Sequence, residues 1–139
     1  MMTRVQIAGA QKNKLQGLTL RVLSERFAIC RLPSGDSVPS WFRPSALSSL
    51  TYTHEELSLV VPEQSVPDEV KAERSWRCLG VVGPLDFGLT GVLASIAVPL
   101  AEAGISICAM STYDTDYMLV RAEAFDAALK VLSGRFEFR

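Results

Sequence analysis

The clearest pattern of apolar and polar positions lies in the second half of the chain, in residues 76–120. The apolar run at residues 78–82 predicts a strand, and apolar residues at helical spacing over residues 89–103 predict a helix. Gly104 follows, and glycine commonly ends a helix because it accepts a left-handed backbone. Residues 105–110 then alternate as a strand, so this stretch predicts strand, helix and strand in succession.

The pattern continues to the end of the chain. A polar turn at residues 111–116 leads into a strand at 117–121, a helix at 124–133 and a short closing strand at 136–138. The order of the second half is therefore strand, helix, strand, strand, helix, strand. This is the split βαβ arrangement of ferredoxin-like folds, so we predict an α+β protein with antiparallel sheets and helices on one face.

The first half is less regular. Two strands at residues 18–23 and 27–32 are predicted, joined by a turn at residues 24–26, and a proline-rich loop follows at 33–44. Residues 50–61 read as strand, polar turn and strand. Residues 67–74 predict a short helix, since Pro67 is tolerated in a first helical turn.

An internal repeat at a spacing of 60 residues predicts two modules. Its four pairs of similar residues are Thr51 and Ser111, Glu56 and Asp116, Leu59 and Leu119, and Val60 and Val120. We place one module at residues 1–73 and the other at 74–139. The first is degenerate, because the proline-rich loop takes the place of its first helix.

Composition excludes several classes of protein. The 139 residues are 48% apolar and 21% charged with a net charge of −1, which is typical of a globular protein and provides no basic excess for nucleic acid. The N-terminus lacks the apolar core of a signal peptide, and the run at 93–101 is too short to span a bilayer. We therefore expect a cytoplasmic protein that binds neither nucleic acid nor membrane.

Residues suited to catalysis or metal binding are few. The three cysteines, Cys30, Cys78 and Cys108, stand singly in apolar runs without a C-x-x-C pair, so we expect small buried thiols, no metal and no cofactor. The one histidine, His54, lies in a predicted turn beside Glu55 and Glu56. A small hydrolase using His54 with either glutamate remains an alternative, but the sequence shows no other catalytic motif.

The predicted topology brings two polar segments together. In a split βαβ unit the first two strands end at the same edge of the sheet, which places the loop 83–91 beside the turn 111–116. Backbone N–H groups at the helix start attract a carboxylate, and Asp114, Asp116 and Asp86 can accept from an ammonium or guanidinium group. Gly88 and Gly91 permit a close approach to the backbone. These features suit a free amino acid.

Two readings without a ligand stay open. Asp86 followed by Gly88 is equally typical of a turn and helix cap, and the residues of the 111–116 turn could satisfy only their own backbone. The helix at 89–103 is weakly polar all round, which predicts burial of its second face against another module or a second subunit. A protein-interaction module without a ligand is therefore the alternative function.

The residues of the second half resemble the ACT-domain superfamily. Residues 83–94, 100–107 and 111–117 carry the likeness, which is closest to tandem-ACT proteins related to the CASTOR arginine sensors and to the regulatory modules of aspartate kinases. The resemblance implies allosteric amino-acid sensing without catalysis, with the ligand at an interface between ACT modules. The implied ligand-binding residues are Asp86, Phe87, Gly88, Leu89, Thr90, Gly91, Ser111, Thr112, Tyr113, Asp114, Thr115 and Asp116.

Within that set, Thr112, Tyr113 and Asp116 fit the pattern of hydroxyl, aromatic and acid that contacts arginine in the sensors. The chain departs from the sensors because it carries one tandem pair of modules where they carry two. Homodimerisation through the 89–103 helix or a sheet edge would restore the missing pair. With no catalytic domain in the sequence, the effect of binding must pass to a separate partner.

Overall fold

The computed structural model describes residues 17–139. The N-terminal residues 1–16, on which the expectation about a signal peptide rests, lie outside this range. The described strands are β1 (Thr19–Leu32), β2 (Ser49–Tyr52), β3 (Leu57–Pro62), β4 (Ala72–Val81), β5 (Ile107–Ser111), β6 (Asp116–Arg121) and β7 (Glu137–Phe138). The described helices are α1 (Val92–Glu102) and α2 (Phe125–Ser133), with single 3-10 turns at Glu63–Ser65 and Ala122–Ala124.

The chain forms two compact units. The C-terminal unit consists of the described chain up to Leu23 together with Cys78–Arg139, and the inserted unit consists of Ser24–Arg77. Both β1 and β4 pass from one unit into the other along their length. The predicted sequence boundary at residues 73 and 74 lies within β4, and the division into modules at that point stays a prediction.

In the C-terminal unit the strand order is β7, β1, β4, β6, β5. β6 lies between β4 and β5 and pairs with β5 antiparallel, from Ile107 opposite Val120 to Ser111 opposite Asp116. This is the inserted third strand that the split βαβ arrangement requires. The short β7 pairs with β1 in parallel. The predicted α+β, ferredoxin-like fold is therefore confirmed.

Both helices of the C-terminal unit cover the same face of its sheet. They join the strands in one hydrophobic cluster, in which strand positions such as Leu79 and Val81 alternate with residues of the opposite face. Burying one large aliphatic side chain contributes about 1.5–3 kcal/mol, so this cluster is the main source of stability in the unit. Its fully buried members are Leu20, Leu79, Val81, Val92, Ile96, Leu100, Met118, Val120, Ala128 and Leu132.

The inserted unit has a smaller core and no α-helix in residues 24–77. β3 pairs antiparallel with both β1 and β2. Its core cluster includes Leu57, Leu59 and Val61, and Trp41 and Phe42 from the proline-rich loop pack against it half-buried. The proline-rich loop stands where a first helix was expected to be missing, and the description of residues 1–73 as a degenerate module stays a prediction.

Two local predictions in the first half are wrong. Residues 24–26 are not a turn but part of the continuous strand β1, because β1 is held extended on both sides of them, by pairing with β7 at Thr19 and Leu20 and with β3 from Phe27 onward. Residues 67–74 are not a helix either. Val70 donates to the Pro67 carbonyl in a single turn at 3.2 Å, and β4 begins at Ala72.

The internal repeat is present, but its spacing is 59 residues rather than 60. β3 and β6 have the same length at an offset of 59, and each leads into a 3-10 turn at the same offset. The sequence pattern slipped by one position because it aligned two Leu-Val pairs. In a strand a slip of one residue moves every side chain to the other face, so the correct equivalent of Asp116 is Leu57 and not Glu56.

The three thiols behave as small apolar groups. Cys30 and Cys78 are buried and Cys108 is half-buried, which confirms the expected burial for two of the three. Burial raises the pKa of all three thiols, that of Cys78 to about 12. These cysteines therefore stay protonated and weakly reactive near neutral pH.

Candidate functional site

The hairpin between β5 and β6 is held by its two threonines. The Thr112 backbone N–H donates to the Thr115 carbonyl at 2.8 Å, and the Thr112 hydroxyl bonds the same carbonyl at 3.2 Å. The Thr115 N–H donates back to the Thr112 hydroxyl oxygen at 3.3 Å. This turn uses its own hydroxyls to satisfy its backbone, as the reading without a ligand expected, and it leaves Tyr113 and Asp114 at the tip.

The same turn occurs in the inserted unit, and a comparison of the two turns shows which feature is found only in the β5–β6 hairpin. There Thr53 takes the part of Thr112, with its N–H donating to the Glu56 carbonyl at 2.9 Å and its hydroxyl accepting from the Glu56 N–H at 3.1 Å. The strand that follows begins with Leu57 where β6 begins with Asp116. The hairpin itself is therefore common to both units, and the acid belongs to the second alone.

Asp116 is a buried carboxylate at the base of the hairpin. It is 5% exposed and lies opposite Ser111 in the β5–β6 register. The Ser111 hydroxyl donates to Asp116 Oδ1 at 2.5 Å. Among the described residues, Asp116 has no cationic partner. A buried carboxylate without a positive partner is unfavourable, so this position is suited to receiving a cationic group.

The loop after β4 is joined to this hairpin by two hydrogen bonds. The Thr115 hydroxyl donates to the Val81 carbonyl at 2.5 Å, and the Leu85 N–H donates to the Asp114 carbonyl at 2.7 Å. Gly83 lies between these bonds, where a Cβ would stand 2.9 Å from the Asp114 carbonyl oxygen. The predicted meeting of loop and hairpin at one edge of the sheet is present in the structure.

The predicted start of the helix at Leu89 is wrong, because α1 begins at Val92. Asp86 forms a turn before it, with Oδ1 accepting from the Gly88 N–H at 2.7 Å and its carbonyl from the Leu89 N–H at 3.0 Å. Gly91 then has a φ of 83°, a left-handed conformation that cannot be part of a right-handed helix, so α1 begins only at the next residue. Asp86 is therefore a turn residue, and one of its carboxylate oxygens is already in use.

Two exposed aromatic side chains connect loop and hairpin at the surface. Phe87 is 64% exposed and Tyr113 is 82% exposed. Their ring centroids are 5.0 Å apart with the planes at 79°, an edge-to-face contact. Large aromatic groups this exposed are uncommon on a surface that contacts only water. Their faces are available to a cation or to another protein surface.

Between these groups lies a small open cleft, called here the hairpin cleft, of about 60 Å³. Of the twelve residues predicted for the site, eight line it, while Gly88, Leu89, Thr90 and Gly91 do not. Leu85, which sequence reasoning missed, lines it as well; its position between Pro84 and Asp86 in the loop was the available signal. The lining residues are Leu85, Asp86, Phe87, Ser111, Thr112, Tyr113, Asp114, Thr115 and Asp116.

Outside the hairpin cleft, the described residues bear on three further possibilities: a catalytic group, a metal site and a membrane-spanning helix. His54 and Glu55 are exposed. In the part of the chain that the structure describes, no three His, Cys, Asp or Glu side chains are grouped to hold a metal ion. Among residues 17–139 no helix has both the length and the apolar character needed to cross a membrane.

Replacing Thr115 by valine should lower the free energy of unfolding by about 1–3 kcal/mol. Valine keeps the shape of the buried side chain but removes the hydroxyl that bonds the Val81 carbonyl, so a buried acceptor loses its partner. Chemical denaturation followed by circular dichroism measures the change. Thr51→Val, on an exposed strand position, is the control and should stay within about 0.5 kcal/mol of the parent. Equal effects of the two substitutions would contradict the role of this bond.

Comparison with known proteins agrees with this geometry. A family model described as an ACT domain matches residues 71–134, and a second, described as the N-terminal domain of its family, matches residues 25–69. Residues 71–134 are therefore similar to ACT domains, and the chain is similar in sequence to the CASTOR arginine sensors.

Particular relatives show how far the likeness extends. The chain is 34% identical over 100 residues to the cytosolic arginine sensor for mTORC1 subunit 1 of Bos taurus, a match covering 64% of this chain and 30% of that protein. The crystal structure of Atu0741 from Agrobacterium tumefaciens superposes with a TM-score of 0.82 at 30% identity, covering 88% of this chain and 92% of the other. The regulatory subunit of aspartate kinase from Thermus thermophilus shares the fold. It superposes with a TM-score of 0.53 at 12% identity, covering 81% of this chain and 94% of that one.

The bovine relative is named as an arginine sensor. The chain spans about a third of the length of the curated sensors that it matches, 30% in the bovine case. The activities of those whole proteins are therefore not transferred here.

Proposed function

We propose that this protein is a non-catalytic regulatory sensor that binds a free amino acid in the hairpin cleft. The observation that carries the proposal is Asp116, a buried carboxylate with one bond from Ser111 and no cationic partner among the described residues. An ammonium or guanidinium group placed there would gain a charge-assisted hydrogen bond and neutralise the buried charge. The match of residues 71–134 to an ACT domain and the similarity to an arginine sensor support a regulatory amino-acid-sensing role.

The chemistry of the cleft favours a cationic side chain over an acidic one. Asp86 and Asp114 line the cleft together with Asp116, so three carboxylates surround a small space. The faces of Phe87 and Tyr113 add the negative quadrupole that attracts cations. The relative named as an arginine sensor agrees with this charge preference. We therefore propose that basic amino acids bind in preference to acidic ones.

A second copy of the chain completes the site in this proposal. The cleft measures about 60 Å³, far below the roughly 300–1,000 Å³ typical of ligand pockets. The loop also has few amides left for a carboxylate, because the N–H groups of Leu85, Gly88 and Leu89 already donate within the chain. A homodimer, formed through α1 or the edge strand β5, would enclose the ligand and supply the missing donors.

The exposed part of α1 is smaller than the sequence predicted. Gly91 and Ala94, expected on its second face, are already buried within the chain, and Ala94 is only 5% exposed. Val98, at 52% exposed, is the one large apolar side chain left on the helix surface in the described chain. Dimerisation through the edge strand β5 is therefore favoured over dimerisation through α1.

The roles of the two modules and of a protein partner follow from the proposal that the protein is a sensor. We propose that residues 74–139 form the ligand-bearing module and residues 1–73 the degenerate one, since the latter has Leu57 in place of the essential acid. The matches of two family models to residues 71–134 and 25–69 support this division. The signal would pass to a separate protein partner. We place this partner in the cytoplasm because the curated relatives are named as cytosolic.

Screening the twenty amino acids by thermal shift, with calorimetry on those that respond, tests the proposal. Lysine and arginine are expected to raise the melting temperature saturably, while aspartate and glutamate leave it unchanged. The oligomeric state is measured with and without the responding amino acid by light scattering. A folded sample that responds to none of the twenty would overturn the proposal.

One observation favours the alternative of an interaction module without a ligand. The exposed pair Phe87 and Tyr113 resembles the aromatic anchors at the centre of protein interfaces. That reading predicts that substituting the two rings abolishes assembly and that no amino acid alters stability. Amino-acid binding by a protein whose assembly is unaffected by Tyr113→Ala would exclude it.

A further inference from the structure

A second cleft in the C-terminal unit is lined by two arginines and one aspartate. It has a volume of about 270 Å³ and is called here the arginine cleft. It shares Thr112, Asp114 and Thr115 with the hairpin cleft, but its other polar walls come from different strands. Its lining residues are Arg21, Val81, Val82, Gly83, Pro84, Thr112, Asp114, Thr115, Tyr117 and Arg139.

The register of β1 and β7 brings two guanidinium groups to this cleft. Thr19 lies opposite Glu137 and Leu20 opposite Phe138, and the Arg139 N–H donates to the Leu20 carbonyl at 2.8 Å. One step further along the same register, Arg139 is beside Arg21. Neighbouring strands are about 4.8 Å apart, so two like charges are held next to each other.

Like charges in adjacent positions of neighbouring strands repel and destabilise the pairing. Within residues 17–139 neither guanidinium group makes an ion pair or a side-chain hydrogen bond to a carboxylate or carbonyl. Asp114 lines the cleft and is the one carboxylate side chain among its lining residues. A small anion between the two arginines would reduce their repulsion.

The remaining walls suit a small ligand. The ring of Tyr117 lies against Gly80, where an added Cβ would stand 2.9 Å from its Cε1 atom. This close packing fixes the ring at the cleft. A volume of about 270 Å³ is near the lower end of the range for small-molecule sites, and the single carboxylate of Asp114 disfavours a polyanion.

We propose that the arginine cleft binds a small molecule through one carboxylate or phosphate group, held between Arg21 and Arg139. Arginine is suited to this because its planar group donates two parallel hydrogen bonds to such an oxyanion. The site is distinct from the proposed amino-acid site and does not depend on it. Because Thr112, Asp114 and Thr115 line both clefts, an anion bound here contacts the hairpin that carries Asp116.

The test uses the full chain with inorganic phosphate and with acetate as probes, against sodium chloride at matched ionic strength. We expect phosphate or acetate to raise the melting temperature saturably beyond the chloride reference. Arg21→Gln and Arg139→Gln should each weaken the apparent affinity about tenfold or more. Arg135→Gln, an exposed arginine of the same unit outside the cleft, is the matched control and should bind as the parent does.

The outcomes separate the possible sources of the effect. Saturation with acetate as well as phosphate identifies a carboxylate site, and saturation with phosphate alone identifies a phosphate site. A shift that chloride reproduces, or one unchanged in both Arg21→Gln and Arg139→Gln, overturns the proposal. Calorimetry on the parent protein gives the affinity directly if a variant fails to fold. Asp116→Ala should keep the anion response, so failure of the amino-acid site and failure of the arginine cleft are distinguishable.

Discussion

Substituting Asp116 by alanine should strongly weaken the proposed stabilisation of this protein by an amino acid. The carboxylate is 5% exposed at the base of the hairpin cleft, and its one side-chain partner among the described residues is Ser111. A hydrogen bond to a charged group is worth about 1.5–3 kcal/mol, which corresponds to a loss of affinity of roughly 10- to 150-fold. Calorimetric titration with the amino acid identified by screening measures this loss.

Two companion variants separate charge from structure. Asp116→Asn keeps the shape and one acceptor oxygen but removes the charge, so its affinity should fall between those of the parent and of Asp116→Ala. Asp68→Ala, an exposed acid in the inserted unit, should bind as the parent does. Unchanged affinity in Asp116→Ala, with the fold intact by circular dichroism, would remove Asp116 from the site.

The same substitution has a second effect that must be measured separately. Asp116→Ala leaves the Ser111 hydroxyl without this acceptor, which lowers stability, but it also removes a buried negative charge, which raises it. The net change in the unliganded protein is therefore small compared with the loss of ligand response. Each variant is compared with its own unliganded melting temperature, so that only the ligand-dependent shift is interpreted.

Substituting Gly83 by alanine should lower the free energy of unfolding by about 1–3 kcal/mol. The new Cβ would stand 2.9 Å from the Asp114 carbonyl oxygen and 3.1 Å from the Thr115 Cβ. The first contact is with backbone, which cannot rotate away as a flexible side chain does. The loop must therefore shift away from the hairpin, and the bond from the Leu85 N–H to the Asp114 carbonyl should lengthen.

This steric effect also reaches the ligand, because the loop and the hairpin form the two walls of the hairpin cleft. We expect Gly83→Ala to weaken amino-acid binding together with stability. Chemical denaturation gives the first quantity and calorimetry the second. Gly134→Ala is the control, since no atom lies within 4 Å of its added Cβ and its φ is −80°. A Gly83→Ala protein as stable as Gly134→Ala would show that the loop does not press on the hairpin.

The comparison of the two hairpins shows where sequence reasoning succeeds and where it fails. Both turns were predicted from their polar residues, and both are present with the same pattern of threonine hydrogen bonds. The register of the repeat was misplaced by one residue, since the sequence comparison aligned Leu59-Val60 with Leu119-Val120. The strand bounds and the hydrogen bonds of the turns define the register, and both show that Leu57 replaces Asp116 in the inserted unit.

The three predicted acids of the site have different surroundings, although the sequence treats them alike. Asp86 is bound into its own turn by the Gly88 N–H, and Asp114 is exposed at the hairpin tip. Only Asp116 is buried beside a single hydroxyl. Burial and partners depend on neighbours distant in sequence, so no local pattern distinguishes these three carboxylates.

By itself, the sequence determined the order of strands and helices in the second half, because periodicity and turn residues act over short distances along the chain. The tertiary structure decided the rest. It made β1 continuous through residues 24–26 and placed Arg21 beside Arg139 through the pairing of the first and last strands. Both depend on contacts between segments far apart in sequence, whose energies a linear pattern does not contain.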